Sequence, residues 1–240
     1  MPDSLAGKWI VLAGGSGGLG SASAAQLADE GARLIVSYLT NGERARRLSG
    51  AAQVVQADVI NAASRRELLD RAPELYGLVV FSGDPSRAAS PAQVEAAMRR
   101  SYEVNCVGPL LLAREAAERM KAAHTEGAIV LFATMQAVGL FPGSTAYASG
   151  KAGLIHGARI LAKECRGRAN IRVNVIAPGV MAAGMAQASI AAGKYDRFLE
   201  DDTINRFGAA ADIARAVRFL LEPDNYITGQ VLSVDGGVSL

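Results

Sequence analysis

Short apolar runs alternate with longer segments of helical period along this chain. Residues 9–13, Trp9-Ile10-Val11-Leu12-Ala13, are followed by a glycine-rich turn and a helical pattern from about 19 to 30. Gly31 stands where a glycine ends a helix. Further strands are predicted at 33–38, 53–56, 78–81, 128–132, 171–176 and 230–234, with helices at about 43–48, 63–69, 91–120, 146–164 and 211–220. Strands that are apolar throughout, separated by helices, predict a parallel sheet covered on both faces. Right-handed crossovers then give a doubly wound α/β sheet. No internal repeat, low-complexity tract or linker interrupts the pattern, so residues 1–240 read as one domain.

Composition narrows the function more than the fold. Half the residues are apolar and the net charge is only +2, too small and too dispersed to imply nucleic acid or an anionic membrane as partner. The pairs Arg65-Arg66 and Arg99-Arg100 read as solvated helix faces. Cys106 and Cys165 lack metal-ligand spacing and are expected as small buried hydrophobes; no metal site is expected. His124 and His156 have no ligand-like partner, and Trp9 is expected to pack at the start of the first strand. Residues 1–10 do not read as a signal peptide, and no apolar stretch is long enough to span a membrane. A cytoplasmic protein is the expectation.

Two motifs carry chemistry. Between the first strand and the first helix stands Ala13-Gly14-Gly15-Ser16-Gly17-Gly18-Leu19-Gly20. In that position a glycine run lets the backbone approach a pyrophosphate, whose charge meets a helix N-terminus. Further on, Tyr147 and Lys151 share one helix face at a spacing of four. An ammonium beside a phenol favours the phenolate, which predicts a lowered Tyr147 pKa and a usable acid and base.

These motifs resemble the short-chain dehydrogenase/reductase family, and in particular its 3-ketoacyl-(acyl-carrier-protein) reductase-like members. The spacing of Gly14, Gly18 and Gly20 is similar to the family's dinucleotide turn, with Ser16, Gly17 and Leu19 inside it, and Tyr147-x-x-x-Lys151 matches its catalytic pair. The resemblance extends to Asp58-Val59 after the third strand, Ser82-Gly83 after the fourth, Pro178-Gly179-Val180-Met181 after the sixth, and Arg206-Phe207-Gly208 and Asp235-Gly236-Gly237 near the end. It implies a single Rossmann-type sheet of about seven strands in the order 3-2-1-4-5-6-7. It also implies hydride transfer between a nicotinamide cofactor and a carbonyl/alcohol substrate. By the same resemblance Thr134, 13 residues before Tyr147, takes the place of the family's serine and holds the substrate oxygen, Asn105 supports a relay water, and Lys151 also holds the nicotinamide ribose. Asp58 would meet the adenine, and Gly83 would admit the cofactor ribose.

The chain departs from the pattern at Ala13, Val80, Phe81, Thr134 and Ala183, which keeps a second reading open: a catalytically weak dinucleotide-binding homologue acting as a sensor or assembly partner. At the end of the second strand, Tyr38 is followed by no acid until Glu43, so nothing repels a 2′-phosphate. Ser37, Thr40, Asn41 or Arg44 could contact it, and NADP(H) is expected over NAD(H). Residues 185–205 fall where the family keeps a substrate lid. Ile190, Phe198 and Leu199 there, with Met135, Gln136, Val138 and Phe141, predict a pocket for an apolar ketone or ketoacyl compound. In the resembling family the helices carrying Asn105 and Tyr147 pair across a two-fold axis; with Ala113, Ala116, Ala117, Ala152, Leu154, Ala158 and Leu161 on them here, the resemblance implies a homotetramer, or a homodimer.

Overall fold

The computed structural model describes residues 4–48, 52–88 and 90–240, so residues 1–3 of the N-terminal stretch lie outside it. Seven strands form one sheet in the order β3-β2-β1-β4-β5-β6-β7. They are β1 (Trp9–Ala13), β2 (Arg33–Tyr38), β3 (Ala52–Gln56), β4 (Leu75–Val80), β5 (Gly127–Phe132), β6 (Ile171–Pro178) and β7 (Val231–Val234), and every neighbouring pair is parallel. This is the expected Rossmann-like order. Between the strands run α1 (Gly18–Asp29), α2 (Gly42–Arg46), α3 (Ala62–Asp70), α4 (Val94–Tyr102), α5 (Gly108–Ala122), α6 (Met135–Val138), α7 (Thr145–Glu164), α8 (Gln187–Ala191), α9 (Arg197–Glu200) and α10 (Ala210–Leu221).

Because alternate strand residues point to opposite faces, each strand supplies two cores. Val11, Ile35, Leu78, Ile129 and Val173 pack under the inner faces of α3, α5 and α7, whereas Ile10, Leu12, Leu34, Val79 and Val130 pack under α1 and α10. All of these strand residues are at most 1% exposed. Such two-sided burial is why the strands read as unbroken apolar runs rather than alternating ones. β4 begins three residues earlier than its apolar run suggests, with the buried Leu75 and Tyr76 included; the Tyr76 hydroxyl donates to the Leu221 carbonyl at 2.6 Å, which hides its polarity.

The pattern predicted as one helix over 91–120 is interrupted. A π turn, Glu103–Val107, separates α4 from α5, with the Gly108 N–H donating to the Glu103 carbonyl. Pro109 explains it: the ring has no N–H to give the Asn105 carbonyl and would crowd it in an unbroken α-helix, so the turn widens.

Arg65 is not on a solvated face, as expected, but 5% exposed. Its Nη1 donates to the Val59 carbonyl at 3.0 Å and its Nε and Nη2 donate to Glu115 Oε1, tying α3, α5 and the turn after β3 together. Leu68 and Leu69 on the same short helix draw the arginine under it. Replacing Arg65 by Met strands a buried carbonyl, and we expect a loss of about 1–3 kcal/mol in urea unfolding. An unchanged midpoint would show that the guanidinium contributes only its stem.

Candidate active site

The carboxyl ends of β1, β2, β4, β5 and β6 share one edge of the sheet, and the motif residues collect there. After β1 the chain turns at Gly14 with φ of 72°, a left-handed conformation that glycine adopts without cost. The turn is fastened from the next strand, with the Gly14 N–H donating to Ser37 Oγ at 2.9 Å. Ser37 is 1% exposed, so it braces the turn rather than facing a 2′-phosphate as expected. Gly17 then begins α1 with no side-chain cap, and the first turn holds no acid. A twelve-residue helix therefore presents uncapped N–H groups beside Ser16, Gly17, Gly18, Leu19 and Gly20, a donor set suited to an anion. The residues fit a dinucleotide pyrophosphate.

β5 and α7 deliver the second cluster. Lys151 is 2% exposed, and its Nζ donates to the Phe132 carbonyl at 2.7 Å. Thr134, buried two residues beyond β5, accepts from the Gln136 N–H at 3.4 Å. Neither its O–H nor that of Tyr147, half-buried on α7, donates to a protein group among the described residues. The expected pKa ordering is reversed. Burial pushes the Tyr147 phenol up to about 12, helped by the Asp84 carboxylate, and pulls Lys151 down to about 7, with Cys106 opposing slightly. An amine that loses its proton near 7 carries no charge by the time the phenol ionises, so it cannot favour the phenolate.

Gly83 lets the loop after β4 close on this cluster: a Cβ there would lie 3.2 Å from Asn105 Oδ1 and 3.5 Å from Lys151 Nζ. Asn105, fully buried in the π turn, uses its side chain on that loop. Its Oδ1 accepts from the Asp84 N–H at 2.9 Å, and its Nδ2 donates to the Asp84 carbonyl at 2.8 Å and to Ser101 Oγ at 3.1 Å. A relay water would have to use its main chain.

The other expected residues lie along the same edge. Ser82 sits against Gly14, and Tyr38, half-buried, packs on Gly42. Asp58 Oδ1 accepts from the Ile60 N–H, while the Val59 carbonyl is taken by Arg65. Pro178 ends β6; Val180 and Met181 are buried, and Gly179 bonds to Val234. The Gly208 N–H donates to the Val180 carbonyl, which gives the Arg206-Phe207-Gly208 motif its place beside this strand end. At the departures Val80 and Phe81, the Phe81 N–H donates to the Ala13 carbonyl at 2.8 Å, and the Phe81 ring packs on that of Phe132 with centroids 4.6 Å apart. Cys106 and Cys165 are buried free thiols.

Three features were not foreseen: Ser37 as a brace, Asp84 acting on Tyr147, and Arg87, whose Nη2 donates to Ser189 Oγ on α8 at 3.1 Å. Only Asp84 left a trace in the sequence, as a carboxylate directly after a motif glycine.

A doubly wound sheet with an uncapped phosphate turn and a Tyr–Lys pair at its carboxyl edge defines a nucleotide-dependent oxidoreductase. The family model described as enoyl-(acyl carrier protein) reductase matches residues 13–239, and the chain belongs to this short-chain dehydrogenase/reductase family. It is 34% identical over 98% of both chains to an uncharacterized oxidoreductase of Methylorubrum extorquens. It is 30% identical to an NADPH-dependent aldehyde reductase-like protein, chloroplastic, of Arabidopsis thaliana, over 98% of this chain and 96% of that one. A solved 7α-hydroxysteroid dehydrogenase complexed with NADH and 7-oxo glycochenodeoxycholic acid superposes with a TM-score of 0.87 at 29% identity, covering 100% of this chain and 97% of that one. No helix among the described residues is long and apolar enough to cross a membrane.

Burying Lys151 makes a checkable demand on stability. Its pKa falls from 10.5 to about 7 on folding. The folded state therefore binds this proton less readily than the unfolded chain, and the penalty is full below about 7 and fades as pH rises toward 10.5. Lys151→Met also strands the Phe132 carbonyl, a loss that does not vary with pH, so its Tm relative to the unmodified protein should stand higher at pH 6 than at pH 9.5. A difference equal at both pH values, or larger at pH 9.5, would sink this account.

Proposed function

We propose that the chain interconverts a carbonyl and a secondary alcohol with NADP(H), in preference to NAD(H), and with Tyr147 as general acid and base. The observation that carries the reading is the meeting, on one sheet edge, of the uncapped turn at 14–20 with two hydroxyls, Thr134 and Tyr147, that donate to no protein group among the described residues, beside a buried lysine. A bound nicotinamide would supply or accept the hydride. The chain's own residues do the rest: Thr134 and Tyr147 hold the substrate oxygen, Tyr147 donates its proton to it, and Lys151 Nζ is the donor available to the ribose. An NADPH-dependent aldehyde reductase-like protein and a 7α-hydroxysteroid dehydrogenase with a 7-oxo steroid bound, both similar to this chain, agree with this reading.

The substrate is proposed as an apolar ketone or ketoacyl compound. Gln136 and Phe141 are half-buried near Thr134, and Ile190, Phe198 and Leu199 are half-buried in the short helices and turns of 185–205, the proposed lid. Assembly as a homotetramer, with a dimer as the smaller form, rests on different residues from those first expected. Ala113, Ala116, Ala117, Leu154, Ala158 and Leu161 cover this chain's own sheet, but Val94, Met98, Tyr102, Leu111 and Ile160 are exposed on α4, α5 and α7.

The direct test is a panel of neutral ketones with NADPH. We expect turnover by the unmodified protein and a loss of about 10²–10⁴-fold in Tyr147→Phe, with NADPH binding retained. Binding without turnover of any ketone would favour the sensor reading.

Cofactor choice is separately measurable. With Ser37 engaged on Gly14 and Asn41 Oδ1 capping α2, the donors left for a 2′-phosphate are Thr40, the Asn41 amide nitrogen and the exposed Arg44. One charge-assisted contact is worth about 1.5–3 kcal/mol, so NADPH should bind roughly ten- to a hundred-fold more tightly than NADH by nicotinamide fluorescence. Arg44→Ala should remove most of that margin. Tighter NADH binding by the unmodified protein would refute the assignment.

A further inference from the structure

The loop after Gly83 carries a carboxylate for which the proposed reaction assigns no role. Both main-chain groups of Asp84 are clamped by Asn105, N–H to Oδ1 at 2.9 Å and carbonyl to Nδ2 at 2.8 Å. Its Oδ1 accepts from the Ser86 N–H at 2.7 Å, and its Oδ2 takes the Arg100 guanidinium, Nε at 2.9 Å and Nη2 at 2.5 Å. The side chain is 19% exposed. One residue back, Gly83 lies against Lys151 Nζ, and Lys151 is one helical turn from Tyr147. A carboxylate is thus fixed, by main-chain and side-chain bonds alike, within electrostatic reach of the phenol.

We propose that Asp84 is a positioning residue that sets the pH range over which the Tyr147 hydroxyl can donate a proton, with Arg100 as its counterweight. The inference rests on Tyr147 being the proton donor of the proposed reaction. A fixed negative charge disfavours the phenolate, so Asp84 keeps the hydroxyl protonated to higher pH, and Arg100 offsets part of that charge. After burial, Asp84 is the next contribution raising Tyr147. Asp84 itself stays ionised: burial opposes this, but the bonds from Arg100 and Ser86 hold its pKa below the ordinary value.

Few other groups compete. On α7, Lys151 is bonded to the Phe132 carbonyl, and the π turn brings Cys106, which acts on Lys151, and an exposed Glu103. Arg87 on the same loop donates to Ser189, and residues 135–144 hold no ionisable side chain.

The test uses the full chain with tyrosine labelled with ¹³C at Cζ, the Tyr147 resonance being identified by its loss in Y147F. D84N retains the acceptor for Ser86, removes the charge and releases Arg100, two changes that both favour the phenolate. At pH 10.5, with folding checked by circular dichroism, the phenolate fraction of Tyr147 should rise about three- to ten-fold in D84N, the order expected when one nearby negative charge is removed. It should fall in R100Q, which frees the carboxylate. Opposite movements are not what a merely structural role would give. An unchanged or lower fraction in D84N overturns the proposal; should D84N not fold, an unchanged or higher fraction in R100Q does so. The titration needs no turnover, so a protein that reduces no ketone would defeat the proposed reaction and still leave Asp84 to be decided by this measurement.

Discussion

Lys151 is held away from water at the carboxyl end of the sheet, and something other than water has to solvate it. The Phe132 carbonyl does so at 2.7 Å, which fixes where α7 must sit relative to β5. The loop after β4 then passes close over the amine, and glycine at 83 keeps that passage free of a tight contact with Asn105 Oδ1. That passage delivers Asp84 to Asn105, and Asn105 is presented by a π turn that Pro109 imposes on the long helix. The site is in this sense a series of consequences of burying one amine: a carbonyl, a glycine, an asparagine and a widened helical turn all answer to it.

The sequence made the scaffold legible because its signals are local and repeated. Apolar strand runs, the helical period between them and a glycine turn at the first junction each specify the same parallel sheet, and the structure has that sheet, in the order the family resemblance implied. The position of Tyr147 and Lys151 on one face was equally readable, since helical spacing alone sets it. What spacing could not carry was environment. The phenol was expected to be lowered by its lysine and is instead raised, because the same burial that makes the pair a site neutralises the amine first. Arg65 looked like any surface arginine; only Glu115, fifty residues away, and the Val59 carbonyl make it an interior one.

The departures at Val80 and Phe81 acquire a physical sense from their neighbours. An asparagine at a strand end braces by hydrogen bonds; here main-chain bonding from Phe81 to Ala13 keeps β4 in register with β1, and the Phe81–Phe132 contact fills the volume between β4 and β5. Apolar packing replaces a polar brace without leaving a buried donor unpaired, which is the costlier failure in such a place. That aromatic pair belongs to the α1/α10 face of the sheet, whereas Lys151, on α7, is kept dry by its own burial against the other face.

That dryness has a further consequence for the order in which the pair ionises. A cation can lower a phenol's pKa only if it outlasts the phenol on the alkaline side, and Lys151, near 7, does not. A guanidinium would, because it stays charged at any accessible pH. Helix α4 brings one to this side of the site, Arg100, but Asp84 takes it in a two-point ion pair whose carboxylate faces a partly buried space while the guanidinium faces solvent. The nearer and drier partner of such a pair dominates the field inside, since the exposed one is screened. The protein's own charges therefore leave Tyr147 a protonated hydroxyl throughout the neutral range. That is the form which can hand a proton to a developing alkoxide.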